Sequence, residues 1–335
     1  MPANLTPQYH EAERKFKEAK TPEDKLRFLR EMFSVIPKHK GTEKMQADLK
    51  RRIAKLQDDS QRAHKSGRRP YAFAVEREGA AQMVLVGPAN SGKSSVLRTL
   101  TRAEPEVAPY PFTTRMPLPG MMQFEDIQIQ LVDLPAISET GVEHWVPQII
   151  RGADAVLVVL DLSAEEVLED MEVVEKLLAE NGIYLIGKDA APQVPPNSAT
   201  KKTLVIGNKS DLCADRLAEE LLLASLSDRP SGLGRLNLVT FSTASTPGTA
   251  ELRQTLFDLA GVIRVYTKIP GRKPDMDRPF VLPAGSTLIQ VAALVHKDFA
   301  ASLKFARLWG SGTFEGQCIQ RDHIMKDKDV VELHL

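Results

Sequence analysis

The sequence predicts an α/β protein in which a parallel sheet, covered by helices on both faces, lies between a helical N-terminal region and a small mixed C-terminal module. Three observations predict this order. Apolar residues before residue 70 recur at helical spacing, continuous Val, Leu and Ile runs alternate with amphipathic segments over residues 81–260, and short strand patterns flank one helix near the end. We therefore expect three regions, at residues 1–70, 71–263 and 264–335.

The composition is that of an ordinary globular protein. Of the 335 residues, 42% are hydrophobic and 26% are charged, which is enough apolar material for a sizeable core. The N-terminus is polar and no long uninterrupted apolar stretch occurs, so we expect no membrane insertion and a cytoplasmic location. Cys213 and Cys318 have no CxxC or Cys/His spacing, which argues against a disulfide or zinc framework.

The N-terminal region is predicted to form amphipathic helices that pair as a hairpin. Thr21 and Pro22 supply an N-cap and a proline at the first helical position, and Glu23 and Asp24 make the first turn acidic. Two apolar stripes at helical spacing follow, namely Leu26, Leu29, Phe33 and Ile36, then Met45, Leu49, Ile53 and Leu56. A polar linker over residues 64–70 ends the region.

Charge is distributed unevenly along a chain whose formal net charge is zero. Residues 1–70 carry about 18 basic and 10 acidic groups, residues 71–263 about 15 and 26, and residues 264–335 about 11 and 8. Basic flanks are typical of nucleic-acid contacts, but flanks that pair with an acidic central domain explain the same distribution. The basic side chains that could reach RNA are Lys50, Arg51, Arg52, Lys55, Arg68 and Arg69.

The central region alternates strand and helix patterns. Strand patterns occur at residues 81–87, 126–133, 155–161, 203–211 and 236–243. Helices are predicted to begin at Ser94 and to cover residues 165–181, 216–226 and 249–260. Because ligands bind parallel sheets at the carboxyl ends of the strands, we expect the functional residues there.

The C-terminal region returns to short strand patterns. Residues 280–287 predict a strand and a turn, Thr287 can cap a following helix, and residues 303–309 and 329–335 predict two more strands. A small mixed α+β module is the simplest account of this pattern.

A phosphate-binding loop is predicted at GPANSGKS, which matches GxxxxGK[ST], follows a strand and opens a helix. Its glycines let backbone N–H groups surround phosphate oxygens, Lys93 neutralises the outer phosphates, and Ser94 offers its hydroxyl to Mg²⁺. This motif in this context predicts a P-loop NTPase fold. The loop residues are Gly87, Pro88, Ala89, Asn90, Ser91, Gly92, Lys93 and Ser94.

Two further strand ends carry side chains suited to a guanine nucleotide. Asp133 ends the strand pattern at residues 126–133, a position from which a carboxylate reaches magnesium. Within NKSD, Asp211 can accept the two hydrogen bonds that guanine donates from its ring N–H and amino group, and adenine cannot donate that pair. Asn208 would support the base and the loop, while the stem of Lys209 lies along the ring.

With these segments in place, the chain resembles the Obg family of GTPases, and within it the developmentally regulated GTP-binding (DRG) branch. The resemblance is carried by GPANSGKSS, YPFTT, VDLPAI, GNKSD, IRVYTK, LWG and DHIMKDKDVVEL, and it covers nearly the whole chain. It implies that residues 264–335 form a TGS domain, a ubiquitin-like β-grasp module associated with RNA and ribosome-linked proteins. It also implies GTP and GDP as ligands, Mg²⁺-dependent slow hydrolysis and a role around translation.

The resemblance assigns roles residue by residue. It extends the phosphate loop to Ser95, makes Thr114 the switch threonine with Thr113 beside it, and makes Asp133 the aspartate of switch II. Ser94, Thr114 and Asp133 are then the Mg²⁺ ligands, and Lys93, Thr114, Asp133 and Ala136 organise hydrolysis. Guanine is read by Asn208, Lys209 and Asp211, and the pocket is completed by Ser242 and by Thr243, where the family usually has alanine.

Three positions in the phosphate loop and after Asp133 bear on activity. Ala136 stands where the family usually has glycine, so a left-handed backbone there would cost about 1–2 kcal/mol and weaken the switch; if that geometry is not needed, alanine is neutral. Ile137 stands where Ras-like enzymes place the water-orienting glutamine, which predicts slow hydrolysis. Asn90 matches a potassium-coordinating asparagine of related GTPases, although loop asparagines are common turn residues. The inserted domain of eukaryotic relatives is expected to be absent.

Two alternatives to a slow GTPase stay open. The first is a hydrolysis-deficient guanine-nucleotide sensor that docks RNA or a ribosome as an adaptor. The second is a P-loop phosphotransferase that uses ATP, which NKSD disfavours. No activating protein is indicated by the sequence.

Overall fold

The structure is a computed structural model that describes residues 75–101, 116–138, 141–187, 190–213, 216–230, 232–244, 248–312 and 314–334, together with residues 14, 28, 29, 31–33, 35 and 49. The chain divides into two compact units, Met1–Ala74 and Val75–Leu335. The described residues of the first unit are helical, and Leu29 and Leu49, one from each predicted stripe, are buried. Most of the predicted hairpin and all six candidate RNA-contacting cations lie outside the described residues, so the hairpin stays a prediction.

The second unit contains a seven-stranded sheet. Its strands are β1 (Gln82–Val86), β2 (Leu118–Phe124), β3 (Ile127–Asp133), β4 (Ala155–Asp161), β5 (Ile183–Ile186), β6 (Ala199–Asn208) and β7 (Asn237–Thr240). The order is β2-β3-β1-β4-β6-β5, and β7 also pairs with β6. The pairs β1–β3, β1–β4, β4–β6, β5–β6 and β6–β7 are parallel, and β2–β3 is antiparallel.

Helices cover this sheet because its central strands are apolar on both faces. The helices are α1 (Lys93–Thr101), α2 (Val146–Gly152), α3 (Val167–Glu180), α4 (Leu217–Ser227) and α5 (Thr249–Ala260). Leu97 of α1 and Leu256 of α5 join one core cluster with Met83 and Leu85 of β1, while α3 contacts β4 and β5. Every residue of β1 is buried. The predicted α/β fold class is confirmed.

The antiparallel strand β2 corrects the expectation of a wholly parallel sheet. Its sequence LPGMMQF contains Pro119 and Gly120, which argue against a central strand but are tolerated at the sheet edge that β2 occupies. Gly120 is needed there, since a Cβ atom would lie 2.8 Å from Thr101 Oγ1 of α1. The segment between Asp133 and Asn208 is also richer than expected, because α2 and β5 accompany the predicted strand and helix.

A second, five-stranded sheet forms the C-terminal part. Its strands are β8 (Val262–Thr267), β9 (Asp275–Pro283), β10 (Phe305–Trp309), β11 (Gln317–Ile319) and β12 (Asp329–His334), and its helices are α6 (Leu288–Val295) and α7 (Lys297–Ser302). The order is β11-β10-β12-β8-β9. Thr287 and Gln290 form a capping box at α6, and Leu288 and Val291 are buried in the core of this part. Among the described residues, no helix is long and apolar enough to cross a membrane.

An ionic cluster joins the two sheets. Arg264 of β8 is 1% exposed and donates to Asp327 before β12 and to Glu125 and Asp126 in the β2–β3 turn. Its guanidinium lies 4.8 Å from the ring centre of Phe257. Burial alone would lower the pKa of Arg264, but the hydrogen bonds to the three carboxylates outweigh burial and raise it.

Candidate nucleotide site

The phosphate loop connects the end of β1 to the start of α1, and its backbone conformation depends on its glycines. Gly87 has φ 148° and Gly92 has φ 92°, values that L side chains rarely adopt. Neither position has room for a side chain. A Cβ atom added to Gly87 would lie 2.2 Å from Val159 O, and one added to Gly92 would lie 2.1 Å from Asn208 Nδ2. Asn90 also takes a left-handed conformation, with φ 62°. The loop therefore wraps closely against β4 and β6.

Lys93 lies buried inside this loop. Its ammonium donates to Gly87 O at 3.1 Å and to Pro88 O at 2.6 Å. Burial lowers the pKa of Lys93, and the nearby charge of Asp133 opposes that effect. Backbone carbonyls thus hold the ammonium in the place where phosphate oxygens would give it stronger, charge-assisted partners. Ala89, Ser94 and Ser95 are exposed, and Ser91 is fully buried.

Ser94 and Asp133 meet across the loop. Ser94 Oγ at the start of α1 donates to Asp133 Oδ2 at the end of β3, at 2.5 Å. Burial raises the pKa of Asp133, and its other oxygen, Oδ1, is buried without a hydrogen-bond partner in the described part of the chain. An unpartnered buried carboxylate oxygen beside a hydroxyl fits the oxygen ligands that Mg²⁺ prefers. Thr113 and Thr114 lie outside the described residues.

The segment after Asp133 returns to the phosphate loop. Ile137 N donates to Gly87 O at 3.0 Å, and the Ile137 side chain is 1% exposed. Ala136 is exposed and does not have a positive φ. In this conformation, therefore, alanine at position 136 carries no left-handed strain, and position 137 contributes an apolar side chain to the interior.

The loop carrying NKSD follows β6. Asn208 Nδ2 donates to Ser91 O at 2.9 Å, which ties this loop to the phosphate loop, and Asn208 Oδ1 is buried without a described partner. Asp211 is exposed, and its Oδ1 accepts a hydrogen bond of 2.5 Å from Ser242 Oγ. Ser242 Oγ also accepts from Ala244 N at 3.1 Å, so the loop after β7 fixes the hydroxyl that holds Asp211. Thr243 is half-buried next to it.

The structure therefore brings the predicted residues of the phosphate loop, Asp133 and the two base-pocket loops to the carboxyl ends of β1, β3, β6 and β7. It adds one side chain that the sequence motifs missed. Asp161, at the end of β4, accepts a 2.5 Å hydrogen bond from Lys209 Nζ. A signal existed, because the apolar run of β4 ends in aspartate just as that of β3 does.

Comparison with known proteins identifies two matching families. Residues 82–188 match the family described as 50S ribosome-binding GTPase, and residues 263–335 match the TGS domain. An uncharacterized GTP-binding protein of Methanocaldococcus jannaschii is 27% identical, with 93% of this chain and 92% of that protein covered. Developmentally-regulated GTP-binding protein 1 of Xenopus laevis is 28% identical, with 88% of this chain and 94% of that protein covered.

A solved structure extends the comparison to the fold. The YchF GTPase of Schizosaccharomyces pombe superposes with a TM-score of 0.53 at 12% identity, covering 77% of this chain and 99% of that one. At that identity the likeness concerns the fold alone. The fold and the matches together define a P-loop GTPase. More particularly, a GTPase domain is followed by a C-terminal TGS domain, and the chain is similar over most of its length to developmentally-regulated GTP-binding proteins.

Proposed function

We propose that this protein is a Mg²⁺-dependent GTPase with a low intrinsic rate, and that its nucleotide state alters contacts with the ribosome or other RNA. The observation that carries the first part is the contact between Ser94 and Asp133, whose second carboxylate oxygen is buried and unpartnered among the described residues. A buried, desolvated carboxylate without a positive ligand favours its neutral form, so the site is suited to a cation.

Separate groups of residues would bind the metal ion, the phosphates and the guanine base. Ser94, Asp133 and, by the family resemblance, Thr114 would hold Mg²⁺, which when bound supplies positive charge beside the phosphates. The N–H groups of the phosphate loop and Lys93 bind phosphate oxygens, because Lys93 can exchange two carbonyl partners for charged ones. Asp211, oriented by Ser242, would accept the two edge donors of guanine.

A low rate follows from position 137. Ile137 is buried, bonds to Gly87 through its backbone and has no group that could orient a water molecule. Hydrolysis then depends on phosphate and metal positioning alone, unless a potassium ion near Asn90 or a partner protein adds charge. Because Ala136 is unstrained in the described conformation, any cost of alanine there would arise only in a different switch conformation.

Turnover of GTP by the purified protein tests the proposal. We expect slow release of phosphate with Mg²⁺, and Asp133→Asn should lower it at least about a hundredfold by removing a metal ligand. Asp322→Asn, which changes an exposed aspartate of the C-terminal sheet region, is the matched control and should keep the wild-type rate. If GTP binds but is never hydrolysed, the protein is instead a guanine-nucleotide sensor or adaptor. Preference for ATP in competition would favour the phosphotransferase.

Contacts with RNA are the second part of the proposal. Arg307 and Trp309 are two positions apart on β10, so their side chains lie on the same face of the sheet. Arg307 is exposed, and Lys268 Nζ lies 4.2 Å from the centre of the Trp309 ring. Cations beside an aromatic ring suit the phosphates and bases of single-stranded RNA. The basic N-terminal helices would add further phosphate contacts.

A single-stranded RNA oligomer binding with a steep salt dependence would support this part. Arg307→Ala should weaken binding several-fold, whereas Arg272→Ala, an exposed arginine in the loop before β9, should not. Salt-insensitive binding, or no binding, would contradict it.

A further inference from the structure

The guanine-reading loop has a partner that its own motif does not contain. Asp161 is the last residue of β4, in register with Asn208 on β6. Asp161 Oδ2 accepts from Lys209 Nζ at 2.5 Å, although the two residues are 48 positions apart. Parallel pairing of β4 with β6 therefore places this carboxylate beside the lysine of NKSD.

The carboxylate of Asp161 is itself held in place. Its Oδ1 accepts hydrogen bonds from Ser163 N at 3.0 Å and from Ser163 Oγ at 2.6 Å. Burial alone would raise the pKa of Asp161, but the hydrogen bonds from Lys209 and Ser163 outweigh burial and lower it. Asp161 is thus ionised near neutral pH, and it cannot turn away from Lys209 without breaking both bonds to Ser163.

Lys209 sits at a point where the backbone is fixed on both sides. The Asn208 side chain is bonded to Ser91 O, and Ser210 N donates to Phe241 O at 3.2 Å. Lys209 itself has φ 60° and ψ 33°, a left-handed conformation that is unfavourable for a residue with a long side chain. With the backbone fixed, the position of the ammonium group decides where the aliphatic stem lies.

We propose that Asp161 is a positioning residue for the guanine nucleotide, which holds the stem of Lys209 against the face of the base. The inference rests on the guanine pocket proposed above. Exposed ion pairs contribute little, but this one is shielded, with side-chain exposures of 31% for Lys209 and 17% for Asp161. Since the stem touches the face of the base and not its edge, Asp161 should act equally on guanine and hypoxanthine nucleotides.

Affinities for GDP and IDP, measured by titration with Asp161→Asn, Lys209→Met and the double variant, test this role. Asp161→Asn should weaken GDP binding about tenfold and IDP binding by the same factor. The double variant should bind no more weakly than Lys209→Met, because both changes remove one interaction. Ser163→Ala, which leaves both charged groups intact, should lose about threefold and provides a test if Asp161→Asn does not fold.

Asp170→Asn is the matched control. Asp170 lies near enough to Asp161 for the two charges to repel, and this repulsion contributes, after burial and the charge of Glu166, to raising the pKa of Asp170. Removing that charge should leave GDP affinity unchanged. The positioning role is overturned if Asp161→Asn binds GDP as wild type does, if the two losses add in the double variant, or if the GDP to IDP ratio changes. A wild-type protein that binds no guanine nucleotide would overturn the proposed pocket itself.

Discussion

Arg264 Nη1 on the first strand of the C-terminal sheet donates a 2.8 Å hydrogen bond to Asp126 Oδ1 in the turn between β2 and β3 of the GTPase sheet. The same guanidinium bonds to Asp327, and Tyr266 Oη donates to Asp126 Oδ2 at 2.5 Å. Strand β3 begins directly after this turn and ends at Asp133. The cluster therefore fastens the TGS part to the hairpin that ends at the proposed metal site.

Replacing Arg264 should destabilise this part of the chain. Arg264→Met leaves three carboxylates without their shared cation, and we expect the free energy of unfolding to fall by about 2–3 kcal/mol. This is less than for a fully buried pair because the carboxylates are partly exposed. Urea denaturation of the wild type and of Arg264→Met measures this loss of stability. Lys328→Met, which removes an exposed partner of Glu125, should lower the free energy of unfolding by less than about 0.5 kcal/mol. If the two variants lose the same stability, burial of Arg264 does not strengthen its ion pairs.

Acid should weaken the same cluster. The pKa of Glu125 is lowered by its hydrogen bonds with Arg264 and Lys328, and the pKa values of Asp126 and Asp327 are lowered because hydrogen bonds outweigh burial. A carboxylate with a lowered folded-state pKa adds stability above its unfolded pKa of about 4 and loses it as the pH falls through the lowered value.

The free energy of unfolding should therefore decline between about pH 5 and pH 2, and the decline should be shallower in Arg264→Met. Urea titrations at several pH values measure both slopes. If the free energy of unfolding falls equally steeply with pH in the wild type and in Arg264→Met, Arg264 does not cause the lowered pKa values of these carboxylates.

Gly92→Ala should abolish nucleotide binding. The added Cβ atom would lie 2.1 Å from Asn208 Nδ2, so the phosphate loop and the NKSD loop would be forced apart. Gly248→Ala is the matched control, since Gly248 has φ 94° but no atom within 4 Å of an added Cβ atom. It should lose only about 1–2 kcal/mol of stability through backbone strain and keep its GDP affinity. GDP titration and thermal unfolding distinguish the two.

The potassium hypothesis for Asn90 needs a glycine variant. Because Asn90 has φ 62°, Asn90→Ala removes the side chain and also strains the loop, so a lower rate would be ambiguous. Asn90→Gly keeps the backbone conformation and removes only the amide. If Asn90 binds potassium, phosphate release by the wild type should be faster in potassium than in sodium, and Asn90→Gly should lose that difference. A potassium effect that survives in Asn90→Gly would exclude the amide as its ligand.

Much of the site could be predicted because its motifs are short. The glycines and Lys93 of the phosphate loop lie within seven residues, and the conformation of such a loop depends on neighbours in sequence. Apolar runs likewise predicted β1, β3, β4 and β6, since strands covered by helices on both faces are rich in Val, Ile and Leu. The edge strand β2 was missed, because its proline and glycine indicate a loop until its neighbour is known.

The sequence by itself determined the fold class, the phosphate-loop motif and the NKSD motif, and its resemblance to a known family indicated the β-grasp TGS domain of the C-terminal part. Only the tertiary structure decided which charged groups meet. Asp161 reaches Lys209 because β4 and β6 are neighbours in the sheet, and Arg264 reaches Asp126 because two sheets lie together. Such pairs are 48 and 138 positions apart, and side-chain pairing across those separations depends on strand order and packing, which no local pattern contains.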